Sequence, residues 1–168
     1  MASQPAPPPR APAAPTPANP FPTPPVAAAG RNEPSVATWS AVVTADREHF
    51  EGVVASGVPA AATLRFPEYW SERRFELTGD QMRIGRVSPS RGFSPEIDLT
   101  GPPTDPGVSR LHAVLIPEPD GTWAILDPGS ENGTLVNGIE IATDRRVRLR
   151  DGDRVHLGAW TVLTIHAG

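Results

Sequence analysis

The chain has 168 residues, a formal net charge of -4 and no cysteine. That length suits one domain of ordinary size with residues to spare. The missing thiols exclude a disulfide framework and a thiolate metal site, and the acidic balance argues against a general nucleic-acid or membrane-surface binder, which needs a basic field.

Every basic side chain is an arginine. That fits codon usage in a GC-rich genome, and it also offers fixed forks for bidentate phosphate contacts. The histidines, His49, His112, His156 and His166, show no close ligand spacing, so no metal site is expected. Apolar runs fall short of the roughly 20 residues a bilayer span needs. The first residues show no basic stretch followed by an apolar core, so no signal peptide is expected and the cytoplasm is the expected location.

Residues 1–35 are dominated by Pro and Ala, as in Pro7-Pro8-Pro9 and Phe21-Pro22-Thr23-Pro24-Pro25. Proline at this density removes amide donors, and the segment lacks the apolar surface to offset ordering entropy. A disordered, partly polyproline-II tail is expected. Residues 36–60 differ. Residues 38–44 alternate and are β-branched, which predicts a strand; residues 46–54 predict a short helix with Asp46 near its start. This segment is expected to be an extension packed on a domain that runs from residue 61 to 168.

From Ala61 on, short apolar stretches alternate with turn formers. Strands are predicted at 62–66, 73–77, 82–86, 97–99, 113–116, 123–126, 134–136, 139–141, 147–149, 154–157 and 161–165. Pro119-Asp120-Gly121 reads as a hairpin turn between two of them. Asn137-Gly138 suits a type I′ turn, since both residues tolerate positive φ. About eleven short strands at close spacing mean an all-β sandwich.

Val108-Ser109-Arg110-Leu111-His112-Ala113 is the stretch with chemical interest. It follows the turn-rich Gly101-Pro102-Pro103-Thr104-Asp105-Pro106-Gly107 and leads into a buried apolar strand. A hydroxyl, a guanidinium and free backbone amides on a rigid base can hold an anion. Four further pieces accompany it: Gly85-Arg86 upstream, then Ser130-Glu131-Asn132-Gly133-Thr134, Asn137-Gly138, and Asp151-Gly152-Asp153 with Leu157-Gly158. In that order they resemble the forkhead-associated (FHA) domain, over roughly residues 64–165, and the resemblance points to a bacterial, actinobacterial-like member.

The resemblance implies an FHA-type β-sandwich whose loops at one end take a phosphothreonine in an extended segment of a partner. Arg86 matches the family arginine that reaches the phosphate. Ser109 matches the serine whose hydroxyl and amide bind a phosphate oxygen, and Arg110 a position that often adds a second cation. Asn132 matches the asparagine that hydrogen-bonds the peptide backbone; an Asx turn before Gly133 is its ordinary alternative. Gly85, His112, Gly133, Thr134 and Asn137 match structural positions at the site. Glu131 departs from the Ser or Thr often found there, and the loop 87–108 is longer than a minimal one; Arg91 and Phe93 either extend the binding surface or belong to a spacer.

The function implied is a non-catalytic adaptor in Ser/Thr kinase signalling. Its partner is a phosphothreonine-containing protein, such as a Ser/Thr protein kinase or a substrate of one, with no nucleic acid, no membrane, no cofactor and no metal. Ser109, His112 and a nearby Asp could suggest a hydrolytic triad, but no nucleophile elbow accompanies them. The rival reading is a phosphorylation-independent scaffold or self-association module on the same fold. A chain beginning at Asn32 is expected to unfold at an almost unchanged midpoint, because the tail cannot bury a core; a loss of several degrees in a thermal melt would contradict this.

Overall fold

Alternation of apolar and polar residues organises the chain from Trp39 onward. The computed structural model describes residues 37–57 and 59–168; the expected tail, residues 1–35, lies outside them. The strands are β1 (Trp39–Ala45), β2 (Arg73–Glu76), β3 (Met82–Gly85), β4 (Ile97–Asp98), β5 (Leu111–Pro117) and β6 (Trp123–Leu126), then β7 (Thr134–Val136), β8 (Ile139–Glu140), β9 (Val147–Arg148), β10 (Arg154–Leu157) and β11 (Thr161–Ala167). They form a six-stranded sheet in the order β2-β1-β11-β10-β7-β8 and a five-stranded sheet in the order β4-β3-β5-β6-β9. Neighbours run antiparallel, except that β3 and β4 are parallel. This is the all-β sandwich the strand pattern predicts.

The inner faces of the two sheets make one core. Ile84, Ile97, Leu115 and Ile125 from one sheet meet Val155, Leu157, Leu163 and Ile165 from the other, with Leu149 beside them, and all are essentially fully buried. Each such side chain contributes about 1.5–3 kcal/mol relative to exposure.

The segment expected as an extension supplies an interior strand. β1 pairs with β11 along its whole length, from Trp39↔Ala167 to Ala45↔Thr161, and with β2 on its other edge. Trp39, Ala41 and Val43 point into the core. The helix α1 (Arg47–Ala55) follows at once. Asp46 caps it, its carboxylate accepting from the His49 N–H at 3.1 Å. α1 lies against the outer side of the six-stranded sheet, where the His49 and His156 rings stand 4.7 Å apart. It also reaches the turn between β10 and β11. The Asp46 N–H donates to the Trp160 carbonyl at 2.7 Å, His49 Nε2 lies 3.1 Å from the Gly158 carbonyl, and the Phe50 ring meets Trp160 edge-on at 6.2 Å.

The strand predicted at 62–66 does not form. Pro59–Thr63 is a 3-10 turn, and Phe66 leaves any ladder to pack its ring on Phe50 at 5.5 Å and Trp70 at 5.6 Å, with Arg47 over its face. Three alanines have little to bury on a pleated surface, and Pro67 cannot donate to a ladder. The two hairpins do form where turn chemistry predicts them. Asn137 and Gly138 have φ of 51° and 80° between β7 and β8. Between β5 and β6 the Glu118 N–H donates to the Thr122 carbonyl at 2.8 Å, and Gly121 takes φ of 80°. Among the described residues no helix is long and apolar enough to cross a membrane, which says nothing of a β-barrel.

A chain beginning at Pro59 is expected to lose cooperative thermal unfolding, because β2 would lose its only partner, β11 would lose one of its two, and the core would lose Trp39, Ala41 and Val43. Retention of a sharp melt by circular dichroism would contradict an integral role for β1.

Candidate functional site

One end of the sandwich carries the residues that the motif pattern singles out. β3 ends there at Gly85, β5 begins there at Leu111, and β7 begins there at Thr134. The pairing of β3 with β5 slips between Ile84 and Gly85. A Cβ on Gly85 would lie 1.8 Å from the Arg110 carbonyl oxygen, so only glycine lets the two backbones cross. Immediately after the crossing, the Arg86 N–H donates to the Arg110 carbonyl at 3.0 Å. Arg86 is half-buried. Its Nε is fully buried without a partner, and its guanidinium makes no hydrogen bond or ion pair among the described residues. Arg110 is exposed.

Behind this pair, His112 is completely buried and joins two loops. The Ser109 N–H donates to His112 Nδ1 at 3.0 Å, and His112 Nε2 meets the Gly133 carbonyl at 3.0 Å. An acceptor at Nδ1 and a donor at Nε2 define a neutral imidazole with its proton on Nε2. Burial pushes its pKa below the ordinary 6.5, although the Gly133 carbonyl and the Asp127 and Asp105 charges pull the other way. The Ser109 hydroxyl oxygen accepts from the Glu131 N–H at 3.1 Å, and Asn132 Nδ2 donates to the Gly107 carbonyl at 2.9 Å. The loop before β5 and the loop before β7 are thereby tied together at three points.

Asp127 shapes the second of these loops. Its carboxylate accepts from the Gly129 N–H at 2.8 Å, the Ser130 N–H at 2.6 Å, the Ser130 hydroxyl at 2.7 Å and the buried Thr134 hydroxyl at 2.8 Å. Burial alone would raise this carboxyl, but the bonds from Ser130, Thr134 and Gly129 outweigh it and leave the pKa below 3.8.

Gly85, Arg86, Ser109, Arg110, His112, Asn132, Gly133 and Thr134 thus stand together. Asn137 does not. It lies at the far end of β7, about 10 Å along the strand from Thr134. There its side chain donates to Asp153 at 2.9 Å and accepts from the Arg154 N–H at 2.9 Å, which fixes the turn before β10. One expectation needs correction. The Ser109 amide, expected to meet an anion, is committed to His112, because a buried imidazole must have its Nδ1 satisfied. The ordinary alternative for Asn132, an Asx turn, does not form; its amide spans to Gly107.

The long loop after Arg86 is folded onto β3. Arg83 grips Glu96 with two side-chain bonds, at 3.0 and 2.7 Å, and its own N–H adds a third at 2.7 Å. The Arg83 guanidinium holds the Glu96 carboxyl at a pKa of about 2. Arg83 also covers the Phe93 ring at 5.0 Å, so Phe93 is a packing residue here, while Arg91 stays exposed near the loop tip.

Asp105 went unremarked in the motif pattern. It is 2% exposed and gathers the N–H groups of Gly107, Ala159, Trp160 and Thr161 and the Thr161 hydroxyl at 2.8 to 3.1 Å. The Asp105-Pro106-Gly107 turn chemistry was its only local signal. Among the described residues no group of three or more His, Asp or Glu side chains is arranged to hold a metal.

Residues 82–158 match the family model described as FHA domain. The chain is 33% identical over 102 residues to Protein FraH of Nostoc sp., covering 61% of this chain and 35% of that protein. It is 36% identical over 88 residues to an FHA domain-containing protein of Arabidopsis thaliana, covering 52% of this chain and 20% of that protein. The chain therefore spans only about a third and a fifth of these curated relatives. The solution structure of the FHA domain of an Arabidopsis thaliana hypothetical protein superposes with a TM-score of 0.53 at 24% identity, covering 78% of this chain and 86% of that one. The FHA domain of a Chlamydia trachomatis protein gives 0.51 at 23% identity, covering 77% and 96%. These two likenesses show the fold.

Burial lowers the pKa of His112, and also that of His156 on the opposite side of the six-stranded sheet's core face. An unfolded histidine binds protons below its ordinary 6.5 while the folded one stays neutral. The stability from neutral burial is therefore complete above that pH and is lost as pH falls toward the depressed folded values. The unfolding free energy from urea titrations between pH 7 and 5 is expected to fall, by at most about 1.4 kcal/mol per pH unit for each histidine. A His112→Gln protein should show a shallower fall, and an unchanged slope would count against the neutral tautomer.

Proposed function

We propose that this protein, whose residues 82–158 match the FHA domain model, is an adaptor that binds phosphothreonine peptides in Ser/Thr kinase signalling, without catalytic activity. The observation that carries the reading is Arg86. A half-buried guanidinium with a buried, unpartnered Nε and, among the described residues, no counter-anion is an open demand for negative charge. Around it stand the Ser109 hydroxyl, whose oxygen already accepts from Glu131 and whose proton is free to donate, and the exposed Arg110.

The dianion of a phosphothreonine fits that set. Arg86 supplies a charge-assisted fork, Ser109 a hydroxyl donor, and Arg110 a second cation from the rim. The Ser109 amide serves His112 and is not among the phosphate donors. Asn132 uses one amide hydrogen on Gly107 and keeps its oxygen and its other hydrogen for the backbone of an extended peptide. Glu131 turns only its N–H inward, and its carboxylate belongs to the exposed rim.

A hydrolytic role lacks its machinery. His112 meets the Ser109 amide, not its hydroxyl, and both ring nitrogens are occupied, so no base is poised to activate Ser109. The adaptor reading places the chain in the cytoplasm of a bacterial cell, where its partner is a phosphothreonine protein such as a kinase or a kinase substrate.

The test is calorimetric titration of a phosphothreonine peptide selected from a degenerate library. Arg86→Ala is expected to weaken binding by about tenfold to several hundredfold, the equivalent of a lost charge-assisted bond. Ser109→Ala should cost somewhat less and Asn132→Ala a similar amount, while all three proteins stay folded. Equal binding of the phosphorylated and unphosphorylated peptides, or full affinity in a folded Arg86→Ala protein, would favour a phosphorylation-independent scaffold.

A further inference from the structure

We infer that Asp105 is a positioning residue for the phosphothreonine site, docking the loop that carries Ser109, and whose Gly107 carbonyl holds Asn132, onto the turn between β10 and β11. The inference rests on the reading of that site given above. Asp105 Oδ2 accepts from the Ala159, Trp160 and Thr161 N–H groups at 3.0, 2.9 and 3.1 Å and from the Thr161 hydroxyl at 2.8 Å. Oδ1 accepts from the Gly107 and Ala159 N–H groups, both at 2.9 Å. One buried carboxylate thus holds the turn with one oxygen and shares the other between turn and loop.

Contact on both sides is close enough to demand glycine. A Cβ on Gly107 would lie 2.8 Å from Ala159 N and from Gly158 Cα. One on Gly158 would lie 2.8 to 2.9 Å from the Asp105 carboxylate. Two residues beyond Asp105, the Gly107 carbonyl receives Asn132 Nδ2. Val108 is anchored in the core at 1% exposure, and Ser109 follows. The segment is thus held at Asp105, at Gly107 and at Val108 before it reaches Ser109.

The turn itself is immobilised from the other side. α1 holds it through the Asp46 N–H to the Trp160 carbonyl, His49 to the Gly158 carbonyl, and Phe50 on Trp160. The segment before the family match therefore serves the site, by giving Asp105 a rigid object to grip.

Asp105→Asn separates the two halves of this clamp. A carboxamide has one acceptor oxygen. Placed at Oδ2 it keeps the four donors there, and its NH2 then faces the Gly107 and Ala159 N–H groups, donor against donor. The turn stays held and the loop is released. The Asp105→Asn protein is expected to fold, to shift the amide resonances of Gly107 and Ser109, and to bind the selected phosphothreonine peptide about threefold to a hundredfold more weakly, the range for residues in one hydrogen-bond network. Thr161→Val, which loses only the hydroxyl bond to Oδ2, is the milder variant and should weaken binding by about twofold to fivefold.

A double-mutant cycle separates positioning from general loosening. In an Asn132→Ala background the loss caused by Asp105→Asn should shrink to less than half, because both changes act through Gly107. Strictly additive losses, or full affinity in folded Thr161→Val and Asp105→Asn proteins, would overturn the inference. If Asp105→Asn does not fold, Thr161→Val decides alone. Should the parent protein show no Arg86-dependent binding of the phosphopeptide, the site reading itself fails, a different result from an Asp105 variant that binds like a parent of demonstrated Arg86 dependence.

Discussion

Loops that close a β-sandwich carry backbone N–H and C=O groups with no neighbouring strand to pair with, and burying them unpaired costs about 1–3 kcal/mol each. Three buried side chains answer that demand at one end of this domain. His112 takes the Ser109 N–H and gives to the Gly133 carbonyl. Asp127 gathers the loop before β7. Asp105 gathers the loop before β5 and the turn before β11. His112 is satisfied wholly by main chain, Asp105 mostly so, and Asp127 by main chain and hydroxyls in equal number, so the loops have little freedom that is not also freedom to lose a hydrogen bond. A surface made of loops is ordinarily the mobile part of a sandwich; here it has a polar core of its own.

That rigidity bears on affinity. Ordering a long side chain or loop at the moment of binding costs about 0.5–1.5 kcal/mol for each immobilised group. Arg86 leaves its strand at the Gly85 crossing, with its Nε already buried, and part of that cost has been met in folding. Other arginines in the domain are engaged: Arg83 with Glu96, Arg148 with Asp120, Arg154 with Asp46, Arg73 with the Asp98 carbonyl, Arg74 with Ser40. In a chain of net charge -4, Arg86 and Arg110 bring two cations to one loop end, a local positive field for an anionic partner.

How much of this could be read in advance depends on the range of the interaction. Turn chemistry is local, and it was legible: Asn137-Gly138 and the Asp46 cap stand where their backbone preferences put them. The order of the motifs carried the sandwich and the cluster of Arg86, Ser109 and Asn132, because short alternating strands define two faces and their ends define the loops. What stayed hidden was long-range. β1 reads as an appendage since its main partner, β11, lies more than a hundred residues away. Asp105 reads as one more turn former because its donors at 159–161 are backbone groups, which every residue possesses. The free or committed state of the Ser109 amide depends on one tautomer of one buried ring. The segment 62–66 misled because an apolar run ending in Phe66 fits a strand locally, while its aromatic partners are Phe50 on α1 and Trp70 in the irregular segment before β2.

The same reasoning sets the limits of the domain. The family match begins at Met82, in β3, yet β1 completes the six-stranded sheet and α1 steadies the turn that Asp105 grips. A boundary drawn by motif conserves the ligand-facing side chains and discards part of what holds them still. Three strands (β1, β2 and β11) and the helix α1 lie outside the matched region and carry no phosphate-contacting residue in this reading. Their contribution is geometric: without β1 the edge of β11 is unpaired, and without α1 the β10–β11 turn keeps only Asp105 and its own strands. The site is thus a property of the whole sandwich from Trp39 to Ala167, and its chemistry, a few arginine and hydroxyl donors, is the smaller part of what this sequence specifies.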